Sequence, residues 1–386
     1  MKGQLSGVLK NRHTILSGMK ILAIDTSCDE TSAAVMDGLT ILSSVIWSQS
    51  NIHAKFGGVV PSTAKREHEK KISWVVEKAV RSAKITYKNL AAVSVTVGPG
   101  LAIALGVGID FAKSLAEKYK KPLIAINHLE AHILSSLAMT NSKPKSKWSK
   151  RFADDELQIA YYKLEKHLPA FGIVVSGGNT LLVYMENIGN YKVLAQTIDD
   201  ALGESLDKSA RLLGFGYPGG AVLEKFAKQG NPEGYPLPLP MLGREGVGQY
   251  SYSGLKTAFA RLVENLKQKG ALSKTQVCNL AASYQNTAFN HFIRVTKKAI
   301  MKYKTPDSKY LLVGGGVAAN VELRKRIRET CKELSITPFF PYSKKLYGDN
   351  AAMVGIAAYF KYQGKEFVKP ENIDRLPDLK IDQENY

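Results

Sequence analysis

The sequence predicts an α/β protein with two duplicated lobes around a nucleotide cleft, and two repeated units carry that prediction. The first unit is a hairpin of strand, polar turn and strand. It runs from Ile21–Ile24 through the turn Asp25-Thr26-Ser27-Cys28-Asp29-Glu30-Thr31 to Ser32–Met36. It recurs as Phe171–Val175, the small-residue turn Ser176-Gly177-Gly178-Asn179-Thr180 and Leu181–Met185. The second unit is a strand, a glycine turn and a helix. Val93–Val97 leads through Gly98-Pro99-Gly100 into a helix from Leu101 to about Lys118. Tyr310–Val313 leads through Gly314-Gly315-Gly316 into a helical segment reaching about Glu329. Alternating strands and helices define the α/β class. Two similar lobes facing each other create a cleft of the kind that binds nucleotides. Chance similarity among common α/β units is the competing explanation.

At 386 residues the chain is long enough for two or three domains. The expected division is a basic extension 1–18, a first lobe 19–131 completed by 345–386, and a second lobe 132–344. An insertion at 139–168 interrupts the second lobe and holds Lys143, Lys145, Lys147, Lys150 and Arg151. It reads either as a solvated loop or as a contact to a phosphate backbone. The extension lacks acids, and its one apolar stretch, Thr14 to Leu16, is too short for a secretory signal. It reads as a weak organellar presequence or as a segment upstream of a start at Met19. The expected compartment is the cytoplasm, or an organellar matrix if the extension is a presequence.

The formal net charge is +19, which favours a polyanionic partner, nucleic acid or an anionic membrane surface, over a merely solubilising surface. Cys28, Cys278 and Cys331 are far apart, odd in number and form no C-x-x-C. A disulfide framework and a zinc ribbon are therefore excluded, and a reducing compartment fits. No apolar run approaches the length that spans a bilayer, so no membrane partner is expected.

His128 and His132, in Asn127-His128-Leu129-Glu130-Ala131-His132, are the best candidate metal ligands. Residues i and i+4 share a helix face, so both imidazoles can reach one ion. The pattern differs from the zinc-protease H-E-x-x-H, which needs its glutamate directly after the first histidine. Glu130 sits roughly 200° round the helix from His128 and points away from the shared face. The alternative is two histidines with no metal. Asp349, before a small-residue helix, either caps that helix or completes a two-histidine, one-carboxylate set with open positions.

Four glycine turns could cradle phosphates: Gly98-Pro99-Gly100, Ser176-Gly177-Gly178, Gly219-Gly220 and Gly314-Gly315-Gly316. None is a Walker A loop or a dinucleotide fingerprint. Asp25, Asp29 and Glu30 crowd one hairpin tip. The run Asp199 to Lys208 reads as a capped helix with a Glu204–Lys208 surface pair. Periodicity alone turns Asp207 to solvent.

At these residues the chain resembles the tRNA N6-adenosine threonylcarbamoyltransferases, called TsaD in bacteria. The resemblance is carried by ILAIDTSCDETSAAV, FGGVVPSTAKREH, VGPGLAIALGVG, NHLEAH, VSGGNT, DDALGESLDKSARLLGFGYPGG, YSYSGLKTA, GGGVAAN and GDNAAM, in family order from about Met19 to Ala358. It implies the actin-like, sugar-kinase-like (ASKHA) fold, with two RNase H-like lobes. It implies transfer of the threonylcarbamoyl group from threonylcarbamoyl-adenylate to N6 of adenosine 37 in tRNAs reading ANN codons. One divalent metal ion per subunit, iron or zinc, is implied at His128, His132 and Asp349. Substrate contacts are implied at Val174, Val175, Ser176, Gly177, Gly178, Asp207, Gly220 and Asn320, which overrides the solvent-facing reading of Asp207. Asp29 and Glu30 match the family's acidic pair and are the candidate bases, unless the substrate supplies one. Implied partners are tRNA with TsaB-like and TsaE-like subunits, or a second copy in a homodimer. Asn179 and the segment Leu346-Tyr347-Gly348 before Asp349 are closer to the archaeal form, while the first hairpin is of the bacterial and mitochondrial type. The competing functions are a non-catalytic scaffold, a metalloprotease acting on glycoproteins and a sugar-kinase-like phosphotransferase.

Overall fold

The computed structural model describes residues 18–139 and 168–383. Most of the basic extension and nearly all of the 139–168 insertion lie outside them. The described residues fall into two compact units. The first takes its residues from Met1–Gln49, Val60–Ile159 and Pro341–Tyr386, the second from Ser50–Val59 and Ala160–Phe340.

The first unit is built on a five-stranded sheet. Strands β1 (Lys20–Asp25), β2 (Glu30–Asp37) and β3 (Thr40–Ser48) form an antiparallel meander. Strands β4 (Ala92–Gly98) and β5 (Leu123–Asn127) run parallel to β1, giving the order β3-β2-β1-β4-β5. The period of two along each strand divides the core. Leu22, Ile24, Ala33 and Val35 join the cluster formed with helices α1 (Pro61–Ser82) and α2 (Ala102–Tyr119). The alternate residues Ala23 and Met36 meet the C-terminal helix Ala351–Gln363. A Cβ on Gly355 would lie 2.3 Å from Met36 Cγ, so glycine is what lets helix and sheet approach. Both faces of β1 and β2 are thus covered, which is why these strands read as nearly continuous apolar runs.

Helix α3 (His128–Leu134) follows β5 directly. Asn127 ends the strand in an extended conformation and its side chain accepts the N–H groups of Leu129 and Glu130. That cap fixes where the helix begins, and hence which way His128 and His132 face.

The second unit repeats the plan. Strands β6 (Ala170–Val175), β7 (Thr180–Asn187) and β8 (Asn190–Thr197) form the meander. A short strand β9 (Gln249–Tyr250) extends the edge beside β8. Strands β10 (Tyr310–Gly314) and β11 (Thr337–Phe339) are parallel to β6, giving β11-β10-β6-β7-β8-β9. Leaving β9 aside, the two sheets have matching strand order, as the repeated sequence units predict. The helices are α4 (Leu202–Leu212), α5 (Gly220–Ala227), α6 (Ser253–Gln268), α7 (Lys274–Tyr303) and α8 (Val321–Glu333). The segment after β10 is a short 3-10 turn, Gly316–Ala319, and then α8, rather than one helix. Extended Asn320 separates them, with φ −61° and ψ 128°.

Candidate functional site

In the first unit, three side chains converge. His128 Nε2 lies 3.6 Å and His132 Nε2 3.1 Å from the same oxygen, Asp349 Oδ1. The three donor atoms lie within 4.8 Å of one another. Both rings are buried and stand nearly perpendicular, at 81°. Asp349 does not cap the helix that follows it. Asn350 takes that role, accepting the Met353 N–H, which leaves the Asp349 carboxylate free for the histidines. Two imidazole nitrogens and one carboxylate oxygen on a common point are the donor set of a divalent transition metal with positions left open. Glu130 is buried and takes no part in this set, consistent with its place on the helix.

The electrostatics agree. Burial alone would lower the His128 imidazole, but the charge and hydrogen bond of Asp349, and then Asp25, push it up to about 9. Burial, reinforced by the charge of His128, holds His132 below its ordinary value despite Asp349. Burial would raise the Asp349 carboxyl, yet the two histidines keep it far below the carboxylate range. The Asp349 carboxylate thus stays charged against the two rings.

The tip of the β1–β2 hairpin lies in the same unit. Burial, then the charges of Asp29 and Asp349, pushes the Glu30 carboxyl up to about 9, against one hydrogen bond of 2.9 Å from Ser48 Oγ. Burial and the surrounding acids likewise raise the Cys28 thiol, so it stays protonated. His68 on α1 holds the tip: its Nδ1 is 2.8 Å from Thr31 Oγ1 and its Nε2 is 3.0 Å from the Cys28 carbonyl.

In the second unit, the turn after β6 docks on the start of α4. Leu202 N–H donates to Thr180 Oγ1, Gly203 N–H to the Ser176 carbonyl and Glu204 N–H to the Gly177 carbonyl. The capped helix expected here is thus capped from outside, by the turn, and not by its own N-cap residue Ala201. Its first N–H groups are taken by the turn, and Asp200 pairs with Lys208 and Lys256 instead. The Glu204–Lys208 pair forms as expected, at 2.8 Å. Gly203 is required by packing, because a Cβ there would sit 2.4 Å from the Ser176 carbonyl oxygen. Gly177 and Gly178 are different. They are exposed, and an added Cβ would meet nothing within 4 Å. Among the described residues no contact demands glycine there.

Asp207 is half-buried and does not face solvent freely. Its Oδ1 accepts the N–H groups of Gly219 and Gly220 at 2.9 and 2.6 Å, tying down the Gly219-Gly220 turn. Burial raises its carboxyl despite those two bonds. Asn320 caps α8 through Oδ1, and its amide donates to Gln285 Oε1 at 2.9 Å. Val174 and Val175 have fully buried side chains within β6.

Residues 40–146 and 156–356 match the family described as TsaD, tRNA N6-adenosine threonylcarbamoyltransferase. The chain belongs to this family. A tRNA N6-adenosine threonylcarbamoyltransferase of Desulfitobacterium hafniense is 40% identical over 364 residues, covering 94% of this chain and 98% of the relative. One from Moorella thermoacetica is 40% identical over 362 residues, covering 94% and 97%. Among solved structures, HypF from T. kodakarensis superposes with a TM-score of 0.55 at 15% identity, over 92% of this chain and 49% of that one. That likeness concerns the fold alone. The actin-like fold of the TsaD family, expected from the sequence, is the fold of this chain. Among the described residues no helix is long and apolar enough to cross a membrane.

Within the first unit of this TsaD-family chain, the structure brings His128, His132, Asp349, Asp29 and Glu30 together. Within the second it gathers the Ser176-Gly177-Gly178 turn against α4, with Val317 of the turn before Asn320 facing Gly203. Sequence reasoning missed Ser27, His68 and Gln285. Their partners lie 101, 37 and 35 residues away, beyond any local pattern. For Ser27 and His68 the one available signal was their place inside the family's segments, whereas Gln285 lies in none of those segments.

Proposed function

We propose that the chain transfers the threonylcarbamoyl group of L-threonylcarbamoyl-adenylate to N6 of adenosine 37 in tRNAs reading ANN codons, releasing AMP. The observation that carries this reading is membership of the TsaD family across both units. The His128, His132 and Asp349 set supports a resident metal ion, iron or zinc, one per subunit. When bound, such an ion supplies positive charge that polarises substrate oxygens and offsets charge on the leaving phosphate.

The remaining work falls to the chain's own groups. The two histidines and Asp349 form a holding set that orients rather than hydrolyses. The open backbone of Gly177 and Gly178 receives the adenylate, and Asp207 keeps the Gly219-Gly220 turn in one conformation for the same ligand. In the transfer the adenine amine bonds to the carbamoyl carbon, the bond from that carbon to the phosphate oxygen breaks, and the amine gives up one proton. Asp29 is the acceptor we assign. Glu30, pushed up to about 9, is protonated at neutral pH and acts as a hydrogen-bond donor instead. The +19 charge supports tRNA as the macromolecular partner. TsaB-like and TsaE-like subunits, or a second copy in a homodimer, are the protein partners that family membership suggests.

The test is single-turnover transfer from purified threonylcarbamoyl-adenylate to tRNA, read by mass spectrometry of the nucleosides, with the chain alone and then with candidate partners. Formation of the modified adenosine supports the reading. Full activity after replacing both His128 and His132 with alanine would sink the metal's part in it.

A further inference from the structure

Asp25 is a buried carboxylate with an unexplained oxygen. It closes β1 and is completely buried. Its Oδ1 accepts the Ser27 N–H at 3.1 Å, whereas Oδ2 has no hydrogen-bond partner among the described residues. A buried acceptor left unmatched is costly and calls for a reason. Its ion-pair partner among the described residues is His128, whose Nδ1 lies 3.9 Å from that Oδ2. Ser27 Oγ is closer to the same nitrogen, at 3.2 Å, and is itself buried.

These two groups face the back of the ring whose front, Nε2, points at Asp349. An imidazole can offer Nε2 to a metal only when its ring proton sits on Nδ1. An oxygen and a carboxylate beside Nδ1 favour that tautomer. His132 has no equivalent support, because its buried Nδ1 has no hydrogen-bond partner among the described residues.

The turn that supplies this support is rigidly held. Thr26 Oγ1 donates to the Ala104 carbonyl at 2.8 Å, and Leu101 N–H donates to the Ser27 carbonyl at 2.8 Å. Gly100 lies so close that a Cβ there would come within 2.6 Å of that carbonyl oxygen.

We propose that Asp25 and Ser27 are positioning residues of the metal centre, fixing the ring of His128 so that its Nε2 is presented to the ion. This rests on the metal reading above. The two histidines are then unequal: His128 is oriented before the ion arrives, and His132 completes the set.

The test is zinc affinity of the full chain, measured by competition with a chromophoric chelator. Variants are Asp25→Asn, Asp25→Glu and Ser27→Ala, and thermal unfolding of each zinc-free form runs alongside. Asp25→Asn should bind zinc about 10- to 100-fold more weakly with its zinc-free unfolding temperature unchanged. Asp25→Glu, which restores the carboxylate, should recover most of the affinity. Wild-type affinity in folded Asp25→Asn overturns the positioning role and leaves the metal centre standing. If Asp25→Asn does not fold, Ser27→Ala decides: weaker zinc binding supports the role and wild-type binding overturns it. A wild-type chain that binds no zinc overturns both this inference and the metal reading.

Discussion

Asp349 Oδ1 lies 3.1 Å from His132 Nε2, although 217 residues separate the two in the chain. The histidines are set by a helix that starts at a strand end. The aspartate is set by the approach to the C-terminal helix, where Asn350 has relieved it of capping. Removing the carboxylate takes away one of three donors. Asp349→Ala should lower zinc or iron affinity by more than about 100-fold, beyond the loss expected for an outer residue. Metal content by elemental analysis after dialysis checks this, and a variant that keeps a full complement of metal contradicts it.

The glycines of the second unit should separate into two classes. Gly177→Ala and Gly178→Ala add a methyl into open space, so stability should stay within about 0.5 kcal/mol of wild type. Their KM for the adenylate should nonetheless rise. Gly203→Ala meets the Ser176 carbonyl at 2.4 Å, and Gly315→Ala adds a side chain at φ +93° facing the Val175 carbonyl at 2.3 Å. Both should be destabilised by about 1–3 kcal/mol. Thermal melts and adenylate titrations on the four variants distinguish the classes.

The acidic pair at the hairpin tip should respond unequally to amide substitution. Glu30→Gln imitates a protonated carboxyl and keeps an acceptor for Ser48, so transfer should stay within about 10-fold of wild type. Asp29→Asn should cost about 100-fold or more, as loss of a proton acceptor does. Because the Glu30 value is raised to about 9, its neutral form persists through neutral pH and is lost as pH rises through about 9. Wild-type transfer should therefore decline above that point, and Glu30→Gln should not share the decline. Rates from pH 6 to 10 (~4 units, set by those values) check it.

His291 gives the second unit an acid-side weakness. Burial and then Arg294 lower its imidazole to about 4, and its Nε2 accepts the Ser251 N–H at 3.1 Å. The folded state thus keeps it neutral where the unfolded chain would bind a proton. The stabilisation is complete above the ordinary histidine value and is lost as pH falls from there toward about 4. Across that window stability should fall with a slope approaching about 1.4 kcal/mol per pH unit. Urea melts at several pH values measure it, and His291→Gln should flatten this part of the curve.

Much of this was legible in the sequence for a physical reason. Meanders and strand–turn–helix units are local, and their two copies, Ile21–Met36 and Phe171–Met185, made each reading support the other. The histidine pair was legible because i and i+4 share a face. Asp207 was not, since periodicity sees only its own helix, whereas the Gly219-Gly220 turn that covers it comes from beyond the helix end. A capped α4 was legible, but not what caps it, since Thr180 and the carbonyls of the turn after β6 come from outside the helix. Asp349 and Asn350 both suit a cap, and geometry alone separated them.

The long interval between His132 and Asp349 also sets an order of events during synthesis. Both histidines leave the ribosome before the aspartate that completes the set, His132 by 217 residues. At about 5–20 residues per second, that is a delay of roughly 10–40 s. A nascent chain therefore carries only a bidentate half-site while residues 160–340 of the second unit are being made. On the metal reading proposed above, loading becomes a late checkpoint, and a chain stalled before Asp349 can never pass it.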